Sequence, residues 1–434
     1  MEEEVYLTEI LIAVSIFLST YAIIISEKIN RAVIALTGAM LMVLLGLVDL
    51  HAAYTHHIEW KTLFLLIGMM ILVGITNRSG IFQYIAIKAA QRAKGEPVKI
   101  LVTLALLTAV GSAFIDNVTT VLLIVPITFS ITRLLKLNPI PFLITEIMIC
   151  NIGGAATLVG DPPNIMIGTA ANLSFNQFLA NMTPVIIVIM IVIMFYLKRL
   201  YGKQMKVSDE DKEKLMNIDA ASYIKDAALM KKSLFVFALT IIGFLTHRFF
   251  HIEPAVVAFA GATLLMLIGT KEKDLEEVFH TVEWVTIFFF AGLFVLVGGL
   301  IEVGVIKQMA TALLNVTEGD LTSTSMIILW GAGIASALID NIPLVATLIP
   351  MVMDMGTQLG LSEEAILPIW WSLALGACLG GNGTLIASSA NLIVAGIAAR
   401  EGKQISFIEF MKVGIPVTLI SMSIATVYVY FVLL

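Results

Sequence analysis

The sequence predicts an all-α polytopic membrane protein built from two inverted-topology repeats. Three observations carry this. Of 434 residues, 59% are hydrophobic and only 13% charged, against about 45–50% and ~25% in soluble domains. That much apolar surface cannot be kept from water, so the lipid bilayer is the partner, and nucleic-acid binding and ordinary soluble catalysis are disfavoured. Apolar runs long enough for about 30 Å of hydrocarbon recur from end to end. Finally, sequence blocks return in the same order at nearly one offset, as an internal repeat does.

The chain opens Met1-Glu2-Glu3-Glu4, the wrong charge for the basic start of a signal peptide, so the run at 6–26 reads as a span. Further runs lie at 31–50, 62–77, 178–197, 233–247, 254–270, 284–301 and 411–434. Residues 98–135 and 324–353 are too long for one span, and each carries a polar break at its middle; both read as re-entrant hairpins. Residues 142–170 and 366–399 are apolar but interrupted by Gly and Asn, with Pro and Asp in the first; each reads as one crossing made of a broken helix. The sum is ten crossings and two hairpins. Residues 79–96 read as an amphipathic helix on the inner surface. The segment 201–230, rich in Lys, Asp and Glu, reads as a cytoplasmic linker between a first repeat (1–200) and a second (231–434).

Charge gives the orientation. With the N-terminus outside, 23 of the 26 Lys and Arg residues, Arg31 among them, fall on the cytoplasmic side, and only Lys61, Arg248 and Lys307 fall outside, as the positive-inside rule requires. Both termini are then extracytoplasmic, in an inner (plasma) membrane.

The repeat is read from residues 224 apart, where Glu59-Trp60 and Gly68 return as Glu283-Trp284 and Gly292. Ser112-Ala-Phe-Ile-Asp-Asn117 returns as Ser336-Ala-Leu-Ile-Asp-Asn341, and Gly154–Asn164 resembles Gly381–Asn391. Each half holds five crossings. Five is odd, so the halves lie upside down to each other, the plan of secondary transporters. One hairpin then enters from each side, and their tips meet the broken helices near the midplane.

These breaks hold the candidate site. The first tip carries Asp116, Asn117, Thr119 and Thr120, hard oxygen ligands suited to Na⁺ or a proton site; the second keeps Asp340 and Asn341 but replaces the threonines by Pro343 and Leu344. Capping of the turn by Asp and Asn is the simpler explanation, and both roles can coexist. The first broken helix offers Thr157, Gly160, Asp161 and Asn164, and the second Asn382, Thr384, Ser388 and Asn391. Freed N–H and C=O groups there attract ions, and irregular backbone at membrane depth must be buried in protein or line a cavity. Glu146, inside an apolar run, is either a proton carrier or a structural acid, since an unpaired charge there costs a few kcal/mol, of order ~3. Cys150 and Cys378 read as buried small residues, and the six histidines as interfacial, with no metal site beyond a candidate Na⁺ at Asn117 and Asn341.

The stretches Ala113–Thr120, Asn151–Thr157, Gly160–Asn164, Leu338–Pro343 and Gly376–Thr384 resemble the ArsB/NhaD branch of the ion transporter superfamily, and within it the P protein clade. The resemblance covers nearly the whole chain. It implies a homodimer of scaffold and transport domains, an elevator-like movement, and a site between hairpin tips and broken helices. Relatives include Na⁺/H⁺ antiporters, arsenite and silicic acid exporters and dicarboxylate carriers. The expected function is ion-coupled exchange of H⁺ or Na⁺, or export of a small inorganic oxyanion, with no other cofactor. A dicarboxylate carrier and a passive channel are the alternatives, and an enzyme is not expected. No Walker motif is present, so the chain itself does not hydrolyse ATP.

Overall fold

A computed structural model describes residues 2–26, 28–202 and 205–434; Met1 and Lys203, used in the charge and start readings, lie outside the described residues. The described chain is helical and contains no strand. The first half comprises α1 (Glu2–Ser26), α2 (Arg31–Leu44), α3 (Trp60–Arg78), α4 (Ile81–Arg92), α5 (Pro97–Phe114), α6 (Asn117–Leu134), α7 (Ile140–Gly154), α8 (Pro162–Ala170) and α9 (Thr183–Tyr201). The second repeats the series as α10 (Ala227–Thr246), α11 (Pro254–Gly269), α12 (Trp284–Glu302), α13 (Val305–Thr317), α14 (Leu321–Leu338), α15 (Asn341–Leu359), α16 (Leu367–Gly380), α17 (Ser389–Arg400) and α18 (Phe407–Tyr428).

Among the described residues ten helices are long and apolar enough to cross a membrane. They are not the ten crossings read from sequence. Four are the hairpin arms α5, α6, α14 and α15, whereas α2, α11 and the pieces of the two broken helices are shorter. Eighteen residues rise about 27 Å, so length alone does not separate a hairpin arm from a span. The tips decide it. Both hairpins turn over an extended isoleucine, Ile115 (φ −130°, ψ 136°) and Ile339 (φ −130°, ψ 158°), followed by an aspartate that caps the next helix. Both tips reach one point inside the protein, as described below.

Prolines in the first turn of α5, α7, α8, α9, α11 and α16 start these helices where their missing N–H is not needed. The broken helices form the centre of the molecule. Every residue of α7 is buried, as is α16 from Pro368 to Gly380. Packing follows the internal symmetry. α5 lies on α7 as α14 lies on α16, while α2 packs on α12 and α3 on α11, each half supplying a partner to the other. Close approach requires glycine at the first contact. A Cβ on Gly153 would stand 2.6 Å from the Ala109 carbonyl oxygen, and one on Gly380 would stand 2.4 Å from that of Gly333. Small residues that let backbones touch are how helices associate without a hydrophobic drive between them.

The segment after α9 is folded back onto the protein. Ser208 caps a helix at Asp209–Met216, and Gln91 of α4 donates to the carbonyls of Leu215 and Ile218.

Candidate functional site

Corresponding side chains hold the two breaks open. Ser112 donates to the carbonyl of Cys150 at 2.8 Å, and Ser336 to that of Ala377 at 2.6 Å. Thr157 donates to the carbonyl of Ala113, and Thr384 to that of Ala337 at 2.7 Å. Asn164 donates to the carbonyl of Thr157 at 2.8 Å, and Asn391 to that of Thr384 at 3.1 Å. These side chains satisfy carbonyls left over where a helix stops in a buried place. Gly160 lies against the Gly154 and Ser112 carbonyls, where a Cβ would stand 2.5 Å from each.

A second set ties the halves together. The Asn151 amide donates to Asn382 Oδ1 at 2.9 Å and Asn391 Oδ1 at 3.0 Å, and Ser388 donates to Asn151 Oδ1 at 3.3 Å. Asn382 in turn donates to the Met148 carbonyl at 3.1 Å. Thr157, Asn164, Asn382, Thr384 and Asn391 therefore shape the broken helices through backbone and cross-repeat bonds.

The two hairpin tips converge on Asp161. Asn117 donates to its Oδ1 at 3.1 Å and Asn341 to its Oδ2 at 3.4 Å. Asp161 is fully buried, and Asp116, Asn117 and Asn341 are at most 5% exposed. A cavity of about 10 Å³ lies here, its lining including Arg31, Asp116, Asn117, Asp161, Glu283, Asn341, Ser388 and Ser389. That is about the space of one water-sized species.

The two tip aspartates are not equivalent. Asp116 spends both oxygens on its own helix, accepting from the Thr119 N–H at 2.9 Å and the Thr119 hydroxyl at 2.5 Å. Asp340 caps with Oδ1, from Ile342 N–H at 3.0 Å, and turns Oδ2 to the Ser389 hydroxyl at 2.7 Å and Arg31 at 3.4 Å. Thr120 donates to its own tip at Ile115 and lines an apolar groove. Glu146 stands apart from the cavity. Thr128 of α6 donates to its Oε1 at 2.5 Å, and its buried Oε2 has no partner. Neither Asp116 nor Asp161 bonds it.

Arg31 is the residue whose place at the site sequence reading missed. Counted there with the cytoplasmic cations, it starts the short helix α2, and its guanidinium reaches Asp340, Ser389 and Thr286 while lying over the Phe289 ring, 4.9 Å from its centroid. It is 26% exposed and opens onto a larger cavity of about 320 Å³, bordered by Tyr21, Lys28, Asp340 and Ser389. Glu283 was also missed. It accepts from Thr286 at 3.1 Å and faces the small cavity. Its place in the repeated Glu-Trp block was the signal available.

The chain matches the family model described as citrate transporter (CitMHS) over residues 21–376. It is 42% identical over 429 residues to an uncharacterized transporter of Mycobacterium tuberculosis, covering 98% of this chain and 99% of that one. It is 40% identical to a 46 kDa membrane protein of Mycobacterium leprae, covering 96% and 98%. The human P protein is 33% identical over 97% of this chain and 60% of its own length. Among solved structures, the YdaH transporter of Alcanivorax borkumensis superposes with a TM-score of 0.58 at 14% identity, covering 92% of this chain and 96% of that one. The buried hairpin tips, the paired broken helices and these matches together make the chain a member of the CitMHS family of membrane transporters.

Proposed function

We propose that the protein is an ion-coupled secondary active transporter that binds its coupling cation, H⁺ or Na⁺, at the junction of the two hairpin tips and the first broken helix. The observation that carries this is Asp161, a fully buried carboxylate held between the tip amides Asn117 and Asn341, beside a cavity of single-ion size. A buried carboxylate is costly unless a cation or proton compensates it. Tips from opposite faces that share one carboxylate give a centre that both sides can reach in turn, as alternating access demands. An elevator-like shift of hairpins and broken helices against the remaining helices, in a homodimer of an inner membrane with both termini outside, completes the reading. The cargo is either the exchanged cation itself or a small inorganic oxyanion exported against it.

A second reading, an anion or dicarboxylate carrier, is favoured by Arg31, a guanidinium facing the larger cavity, and by the family's description as citrate transporters. Proteoliposomes loaded with a pH-sensitive dye separate the two. Dye responses to Na⁺ or Li⁺ gradients without any anion support cation exchange. Responses only on addition of arsenite support cation-coupled export within the first reading, and responses only on addition of a dicarboxylate support the second. No response to any gradient removes ion coupling.

A further inference from the structure

We infer that Arg31 is a substrate-binding residue for a charged small oxyanion or carboxylate, and that the anion and Asp340 compete for the same guanidinium. This deepens the anion-carrier reading above and rests on it for its place in transport.

Four observations lead here. First, Arg31 is anchored by the Ser389 hydroxyl but only weakly paired with Asp340. Its contacts to Asp340 Oδ2 and Thr286 are both 3.4 Å, at the outer edge of hydrogen-bond range. An Arg–carboxylate pair built for stability is shorter and bidentate. Second, the guanidinium lies over the Phe289 ring, 4.9 Å from its centroid, a cation–π contact that arginine makes more often than lysine. Third, Arg31, Ser389 and Asp340 line the 320 Å³ cavity. That volume lies at the small end of ligand pockets, about 300–1,000 Å³, and Lys28 lines the same cavity. An anion there faces two cations and the Ser389 hydroxyl, with Asp340 the one carboxylate of the lining among the described residues, while Asp161, Asp116 and Glu283 line the separate small cavity. Fourth, the arginine has no counterpart in the second half. α11, which corresponds to α2, begins Pro254-Ala255, so the feature is not an obligatory part of the repeat fold.

The chemistry recognised is a pair of anionic oxygens matching the guanidinium fork, from either a carboxylate or a tetrahedral oxyanion such as sulfate. An uncharged oxyacid such as arsenous acid offers no such pair at neutral pH. Arg31 and Ser389 line both the larger cavity and the small one beside Asp161, so an anion there sits next to the proposed cation site.

Binding is measured on the purified full-length protein by thermal shift and calorimetry, with succinate, sulfate and arsenous acid as probes. Succinate or sulfate should bind wild type, and arsenous acid should not. R31K and R31Q should each weaken binding by about tenfold or more, since the fork is lost. D340N should tighten it several-fold, because the internal competitor is gone. R31Q alone leaves Asp340 without its cation and risks misfolding. The double variant R31Q/D340N removes both charges, keeps the balance, and should fold without binding either anion. Wild-type affinity in R31Q or in the double variant overturns the assignment, as does unchanged or weaker binding in D340N, or no binding of succinate or sulfate to wild type. Anion binding that follows this pattern without ion-coupled flux in liposomes would instead remove the transport reading and leave Arg31 as an anion site.

Discussion

Asp161, Asp116 and Glu146 are three buried acids with different surroundings, and substitutions by the isosteric amide separate their roles. Asn at position 161 keeps the size but loses the charge between two amide donors. Asp161→Asn should reduce ion-coupled flux at least about tenfold, read with the liposome dye, with little change in melting temperature; wild-type flux would remove Asp161 from the coupling site. Asp116 serves as an N-cap through Thr119, and Asn caps as well as Asp does. Asp116→Asn therefore tests its charge alone, and should abolish coupling with the fold intact if the acid acts as an ion ligand. Full activity would leave it as a cap. Glu146→Gln keeps an oxygen to accept from Thr128 while removing the proton site. If Glu146 carries protons, the pH profile of flux should flatten in this variant while its substrate affinity holds. Lost melting temperature with an unchanged profile would identify a structural acid.

At the scale of elements, the linker behaves as a docked segment. Asp211 lies 4% exposed, and Ser208 donates to it at 2.8 Å, with Lys214 at 3.1 Å and Lys136, just beyond α6, at 3.2 Å. The Ser208 hydroxyl first, and then the two ammonium groups, lower its carboxyl to about 2. A carboxyl lowered on folding stabilises the docked state above its unfolded value of about 4, and that contribution fades as pH falls toward 2. Limited proteolysis of residues 205–225 should therefore stay slow from neutral pH to about 5 and quicken below about 4. Asp211→Asn should show the faster cleavage already at neutral pH. Unchanged cleavage in that variant would mean that the helix and the Gln91 bonds hold the linker alone. The glycine contacts give a second test. Gly380→Ala places a Cβ against a backbone oxygen that cannot turn away, and it should cost about 1–3 kcal/mol, the range for overpacking, visible as a lower melting temperature in detergent.

For the molecule as a whole, orientation is the main consequence of odd repeats. Ser208 in the linker and Ser362 after α15 are both exposed. Cysteines placed there should react with an impermeant maleimide from opposite sides of the membrane. Labelling of both from one side would refute the proposed sidedness. The larger cavity is reached beside the end of α1, near Ile24 and Lys28. In the proposed orientation it opens to the cytoplasm, and an inward-facing protein should present Ile24→Cys to cytoplasmic reagent and lose that reactivity when closed outward.

Much of this architecture was legible without coordinates. Composition alone demands a bilayer, and the hairpins and broken helices stand within a few residues of where the polar breaks put them: 98–135 against Pro97–Leu134, 366–399 against Leu367–Arg400. Repeats and breaks are local signals, written in consecutive residues. The meeting of both tips on Asp161 was foreseen only as a convergence near the midplane, because parity fixes direction but not distance. Which residue did what at that centre was decided by tertiary structure. Asp116 and Asp340 occupy the same repeat position, yet one is closed on its own helix and the other faces an arginine from the far end of the chain. Arg31 reads as one more cytoplasmic cation until α2 is seen to begin beside the site. Sequence determines which groups a membrane helix must hide and how the chain reverses; side-chain pairing across 309 residues follows from how helices pack, and no local pattern encodes it.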